Sequence, residues 1–295
     1  MKRRLKLEIR DLSRKLEVVS RDLVTSAFVG GYKSMFKGKG LEFDTYREYV
    51  SGDDSNLIDW KASKRANKTL IKEFTEERSL DVFILFDVSD SMIFGSAKKL
   101  KNVYGAELVA SLSYAMINAD DSVGLALFNG DIIRFSLPIG GMKQYYNILD
   151  IITDLDLYGG HYNLEKSLEF AMNNLSDGAL LIIVSDFIGE ISQRAKELMR
   201  ICGEKFQVIG IMIRDPVDRV MPYDVGQVFV SNPSGTKKVV IEPKKIRDVY
   251  EVYARQQESE IKVLFRESKA DLISLITDKP FVGSIITFFR GRLEK

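Results

Sequence analysis

Cysteine and histidine are almost missing from this chain of 295 residues, which has one of each, Cys202 and His161. A lone cysteine excludes an internal disulfide and a cysteine-built zinc centre. Cys202 falls in a segment of helical spacing, where it serves as a small hydrophobe. No stretch approaches the roughly 18 consecutive apolar residues of a membrane span. The opening MKRRLKLEIRDL lacks the apolar centre of a secretory signal, so a cytoplasmic location is expected. There is no G-x-x-x-x-G-K-[ST] phosphate loop, so any ATP hydrolysis must come from another protein. Internal repeats and low-complexity segments are also missing. Nor is there an excess of either charge: 43 Lys+Arg stand against 42 Asp+Glu, and bulk charge selects no partner. The exception is a basic arm before Gly40, with Lys2, Arg3, Arg4, Lys6 and Arg10 among its cations. Such an arm is a solvated helix face or a contact for anionic lipid or nucleic acid.

What is present is ordinary globular material, 45% apolar and 29% charged, at the upper length for one hydrophobic core. The chain is organised around Leu80 to Ser91, LDVFILFDVSDS. Its apolar run, rich in Val, Ile and Phe, predicts a strand buried on both faces of a parallel sheet. Ligand crevices of open α/β sheets lie at the carboxyl ends of the strands. Asp87, Ser89 and Ser91 would sit there as three hard oxygen ligands, suited to Mg²⁺ or Mn²⁺ rather than Zn²⁺.

Leu5, Ile9, Leu12, Leu16, Val19 and Leu23 predict an amphipathic helix within 5–29. Residues 41–78 are polar and irregular, with short strands expected near 42–49 and 69–74, and Trp60 expected to anchor the segment on the sheet. Helices are expected at 97–118, 142–154, 164–175, 191–202, 244–267 and 281–290. Strands are expected at 123–128, 132–135, 179–184, 206–213 and 271–277, with a hairpin over 227–241. Asn129-Gly130 marks an antiparallel turn. This alternation predicts βαβ units and a mostly parallel sheet flanked by helices. The expected organisation is an N-terminal basic helix and wrap (1–78), an α/β core (79–226), and a hairpin, long helix and final strand and helix (227–295) that complete or append to it.

A second buried strand, ALLIIV, ends in Ser185-Asp186, placing Asp186 at the same edge as Asp87. The loop Gly159-Gly160-His161-Tyr162-Asn163 opens a helix there. These residues also carry a resemblance. Asp87-Val88-Ser89-Asp90-Ser91 resembles the first loop of the metal-ion-dependent adhesion site of von Willebrand factor A domains. Residues 38–78, with G-x-G-x-E-F, R-x-Y, G-D-D, I-D-W and K-x-F-x-x-E-R, resemble the signature of the prokaryotic domain-of-unknown-function family 58. Val123-Gly124 to Phe128, Ser185-Asp186-Phe187 and Thr277, Asp278 and Phe281 match as well. The resemblance implies a von Willebrand factor A-like (Rossmann-like) fold. It also implies Mg²⁺ or Mn²⁺ held by Ser89, Ser91, Asp87 and Asp186, with a partner's acidic residue completing the octahedron. One departure stands out: where the family places a threonine after the glycines, this chain has His161-Tyr162. Water, the Asn163 amide, the Tyr162 hydroxyl or His161 could take that place.

Three functions compete. The resemblance implies a metal-dependent protein-binding module acting with an AAA+ ATPase of the MoxR type in chaperone-like assembly or maturation, and activity as an enzyme is not expected. A hydrolase could instead use Asp87 and Asp186 to hold a catalytic metal against phosphoesters. It would lack a second histidine and a free base, since Asp215 is expected to cap. The basic arm could bind nucleic acid or a membrane surface, but it lacks interleaved aromatics. Arg47, Asp53, Asp54, Asp59 and Trp60 form either a polar network tying the wrap to the sheet or a contact surface for the partner.

Overall fold

A computed structural model describes Glu17 and residues 41–76, 79–222, 226, 228–231 and 238–293, and the strands among these described residues form three separate sheets. The helix expected within 5–29, the basic arm and the turn of the 227–241 hairpin lie outside these residues, Glu17 apart.

The central sheet has six strands: β3 (Asp81–Asp87), β4 (Ser122–Phe128), β5 (Ile132–Ile139), β6 (Leu180–Ser185), β7 (Gln207–Arg214) and β10 (Asp271–Ile276). Their spatial order is β10-β7-β6-β3-β4-β5, all parallel except the edge strand β5, which returns antiparallel to β4. The apolar run 82–86 therefore lies in the middle and is completely buried. Because strand side chains alternate, Val82, Ile84 and Phe86 feed one core and Phe83 and Leu85 the other. Helices α2 (Lys101–Ile117), α3 (Met142–Thr153) and α7 (Phe281–Leu293) cover the first face. Helices α4 (Leu164–Asn174), α5 (Gln193–Lys205) and α6 (Pro243–Glu267) cover the second. Each large side chain so buried contributes about 1.5–3 kcal/mol. The final strand, β10, pairs with β7, so the last third of the chain supplies an edge of the central sheet.

β8 (Val228–Ser231) and β9 (Lys238–Ile241) form the expected antiparallel pair. β1 (Leu41–Glu48) and β2 (Leu70–Glu76) form another, enclosing the short helix α1 (Trp60–Ala66).

One expectation fails in this N-terminal part. Trp60 does not anchor anything: it is the first residue of α1 and 70% exposed. The polar cluster exists, and its hydrogen bonds among the described residues run within the extension. Arg47 grips Asp53 through two bonds (2.7 and 2.9 Å), and Asp53 also accepts from the Val50 amide. Asp54 caps a turn through Asn56. Asp59 caps α1 through the Lys61 and Ala62 amides and accepts from the Tyr46 hydroxyl (3.0 Å). These bonds hold Asp53 and Asp59 down at about 2.

Helix α2 also starts later than its apolar spacing implies, at Lys101 instead of 97. The cause is Asp215, which accepts from the Ser96 amide, the Ser96 hydroxyl and the Ala97 amide and holds 93–100 as a loop.

Candidate metal centre

The end of β3 is fastened to the end of β6 by two hydroxyl–carboxylate bonds. Asp87 Oδ2 accepts from Ser185 Oγ (2.6 Å), and Asp186 Oδ1 accepts from Ser91 Oγ (3.1 Å). Asp87 Oδ1 takes the Ser89 amide (2.8 Å), which curls the loop so that Ser89 Oγ and Ser91 Oγ face each other at 3.1 Å. The Ile188 amide adds a second bond to Asp186 Oδ1. The structure thus brings together Asp87, Ser89, Ser91 and Asp186. Asp87 and Asp186 are completely buried. Burial first, and then the charge of Asp186, push the Asp87 carboxyl up to about 7 against the pull of its Ser185 and Ser89 bonds.

The glycine loop is stitched to this turn by backbone. The Gly159 amide donates to Val88 O and the Asp90 amide to Gly160 O, both at 2.8 Å. Gly159 and Gly160 have φ of +117° and +98°, a region that only glycine enters cheaply. Beyond them the three candidates part ways. His161 is exposed and lays its ring over Gly130, in the β4–β5 turn, where an added Cβ would meet Cε1 at 2.1 Å. Asn163 caps α4, its side-chain oxygen accepting from the Glu165 amide. Tyr162 turns inward between Phe128 and Gly189. Its hydroxyl is buried close to Asp87, Asp186 and Ser185, yet makes no well-formed hydrogen bond. Burial, and then the charges of Asp87 and Asp186, raise it well above a usual tyrosine.

One functional residue gave no signal in the sequence. Lys101, the first residue of α2, is 1% exposed. Its ammonium donates to Asp186 Oδ2 (2.7 Å) and Asp218 Oδ2 (2.9 Å) and lies 5.7 Å from the centre of the Phe94 ring. Burial alone would lower its pKa, but the charges of Asp186 and Asp218 outweigh that and hold it above the usual value. In the sequence it closes the run Lys98-Lys99-Leu100-Lys101, which has the look of a solvated turn. Its partner Asp218 is 117 residues downstream.

Asp215 caps as expected, in a reciprocal box with Asp218. Burial pushes its carboxyl up, but the bonds from Ser96, Val217 and Ala97 prevail and hold it below its usual value. With Thr277 Oγ1 also donating to it, it has no lone pair to spare as a base. A cavity of about 480 Å³ opens beside the ends of β7 and β10, lined by Val217, Met221, Arg247 and Ile276, and holds none of the candidate ligands.

A divalent ion suits this edge in one particular way. Among the described residues no three His, Cys, Asp or Glu side chains converge as a metal cluster, so an ion would lean on hydroxyls. Ser89 Oγ and Ser91 Oγ face each other, each bonded through its loop to a carboxylate, and the buried Tyr162 hydroxyl, without a well-formed hydrogen bond, feels the charge of both acids. An all-oxygen set of this kind fits Mg²⁺ or Mn²⁺.

A mostly parallel sheet with one antiparallel edge, helices on both faces and Asp-x-Ser-x-Ser closing a central strand define a von Willebrand factor A-like α/β protein. The chain belongs to the family described as Protein of unknown function DUF58, which it matches over residues 45–260. It is 24% identical over 283 residues to the uncharacterized proteins Mb1516 of Mycobacterium bovis and Rv1480 of Mycobacterium tuberculosis. Those alignments span 95% of this chain and 88% of each relative. Among solved structures it is similar to the conserved hypothetical protein BatB from Bacteroides thetaiotaomicron (TM-score 0.51, 15% identity), over 74% of this chain and 100% of that one. That likeness concerns the fold. Among the described residues no helix is long and apolar enough to cross a membrane.

Proposed function

We propose that this chain is a metal-dependent protein-binding module. It would act in the cytoplasm as adaptor or co-factor of an AAA+ ATPase of the MoxR type, the partner implied by the family resemblance, in assembly or maturation of a client protein. The observation that carries this reading is the convergence of Ser89, Ser91, Asp87 and Asp186 on one sheet edge, beside the unsatisfied Tyr162 hydroxyl. Ser89 and Ser91 would hold Mg²⁺ or Mn²⁺, and Asp87 and Asp186 would balance its charge. Tyr162 would take the position where the family has threonine. A bound ion of this kind keeps an exchangeable position that a carboxylate from another protein can fill. The chain's own part is to orient the two hydroxyls, through the Asp87–Ser89 and Ser91–Asp186 bonds, and to keep the acids out of bulk water.

Binding without turnover is favoured because Asp215, the spare acid at the end of β7, is fully engaged. Calorimetric titration of the full chain with MgCl₂ and MnCl₂ tests the metal, with Asp87→Ala as control. Saturable heat, lost in the variant, is expected; no heat from the unaltered chain would sink the reading. Gel filtration with a candidate ATPase, with and without EDTA and ATP, tests the partner. Co-elution that EDTA abolishes is the expected result.

A further inference from the structure

Lys101 is in the wrong place for an ordinary helix residue. It opens α2, where the partial positive charge of the helix terminus disfavours a cation. It is also almost completely buried, and a buried ammonium is costly unless it is paired. Both costs are met by what faces it. Asp186 and Asp218 each accept from Nζ, and the Phe94 ring covers it. The 93–100 loop holds the lysine at this reach: the Lys101 amide donates to Phe94 O, and Asp215 grips the loop at Ser96 and Ala97. The consequence falls on Asp186. Its Oδ1 is used by Ser91 and Ile188, and its Oδ2 by Lys101. Any divalent ion on Ser89, Ser91 and Asp186 would therefore share a carboxylate with an ammonium, in surroundings of low dielectric where like charges repel strongly.

We propose that Lys101 is a built-in cation of the crevice. Its ammonium takes the charge-balancing place on Asp186, so the loops fold and close without a metal, and a divalent ion binds only by weakening the Lys101–Asp186 bond. The second half of this statement rests on the metal reading above; the first does not. Lys101 is on this account a positioning residue that sets how tightly the edge takes a metal.

Lys101→Gln in the full chain, melted and titrated in EDTA and in MnCl₂, tests it. The unaltered protein should melt only slightly higher in MnCl₂ than in EDTA, because it folds without the metal and binds it weakly. Lys101→Gln should melt several degrees lower in EDTA, recover in MnCl₂, and bind Mn²⁺ at least tenfold more tightly than the unaltered chain. Adding Asp87→Ala to Lys101→Gln should abolish the recovery, and Lys101→Arg, which keeps the charge, should not show it. If Lys101→Gln gains nothing from Mn²⁺ over the unaltered chain, the inference is overturned while metal binding stands wherever the unaltered chain still titrates. If Lys101→Gln binds Mn²⁺ and the unaltered chain does not, the inference stands and the metal-dependent reading of the native protein falls. A Lys101→Gln chain that folds in neither buffer makes Lys101 a scaffold only, which also overturns it.

Discussion

Asp87 and Asp186 are two acids removed from water within one hydrogen-bonded cluster, and burial of Asp87 beside the charge of Asp186 favours its protonated form. The folded-state value of Asp87, about 7 against an ordinary 3.8, makes the folded chain bind a proton that the unfolded chain releases between those values. Its contribution to stability is therefore complete below about 3.8 and is lost as pH rises through about 7. Asp87→Asn, which removes this titration, should gain stability over the unaltered chain as pH is raised from 5 to 8 in EDTA. Paired thermal melts read the difference, and a difference that does not change across that window would refute it. Cys202 makes a simpler case. Burial pushes its thiol up to about 12, and the side chain is completely covered by α5 and its neighbours. A thiol reagent at pH 8 should leave the native chain untouched and titrate one thiol per chain once it is unfolded. Rapid stoichiometric reaction of the native protein would contradict the buried position.

At the scale of elements, close packing turns one substitution into two opposite outcomes. Gly203 sits in α5 where an added Cβ would stand 1.6 Å from the Ser268 carbonyl oxygen, a backbone atom that cannot step aside. Gly283 sits in α7 with nothing within 4 Å. Alanine is better than glycine in a helix by about 1 kcal/mol, whereas overpacking costs about 1–3 kcal/mol or more. Gly283→Ala should therefore raise the melting temperature slightly, and Gly203→Ala should lower it by several degrees. Equal shifts for the two would mean that α5 does not press on Ser268. The elements themselves were largely legible in the sequence, because runs such as LIIV and the 3.6-residue spacing of α3, α4 and α6 follow from which surfaces must be buried. What could not be read was the start of α2. Its apolar spacing continues back to 97, but an acid at the end of β7 captures those backbone donors. The two acids of the candidate site were legible for a related reason. Asp87 and Asp186 each terminate a buried run, so the parallel sheet alone places them together. Lys101 was not legible, since its burial depends on Asp218 and Phe94 closing over it from other elements.

At the scale of the whole molecule, the α/β body and the β1–α1–β2 extension obey different logic. The body is held by two apolar cores on either side of one sheet. The extension is held by capped turns and the Arg47–Asp53 pair, with Ile71 as its buried apolar contribution. Reading Trp60 as an anchor failed here because a large indole usually seeks burial, while its actual side is decided by its position at the head of a short helix whose buried residue is Ser63. That misplacement has a use. Trp60 is the only tryptophan, so intrinsic indole fluorescence reports on the extension alone. The native chain should show the red-shifted emission of a solvated indole and be fully open to acrylamide. Trp60→Phe should leave stability within about 0.5 kcal/mol, as for other exposed sites. Saturating Mn²⁺ at the sheet edge should leave the emission unchanged, because none of the bonds that place Ser89, Ser91 and Asp186 involves α1. Blue-shifted, shielded emission in the free chain would mean that the extension packs its indole against the body and that the exposed position of Trp60 is wrong.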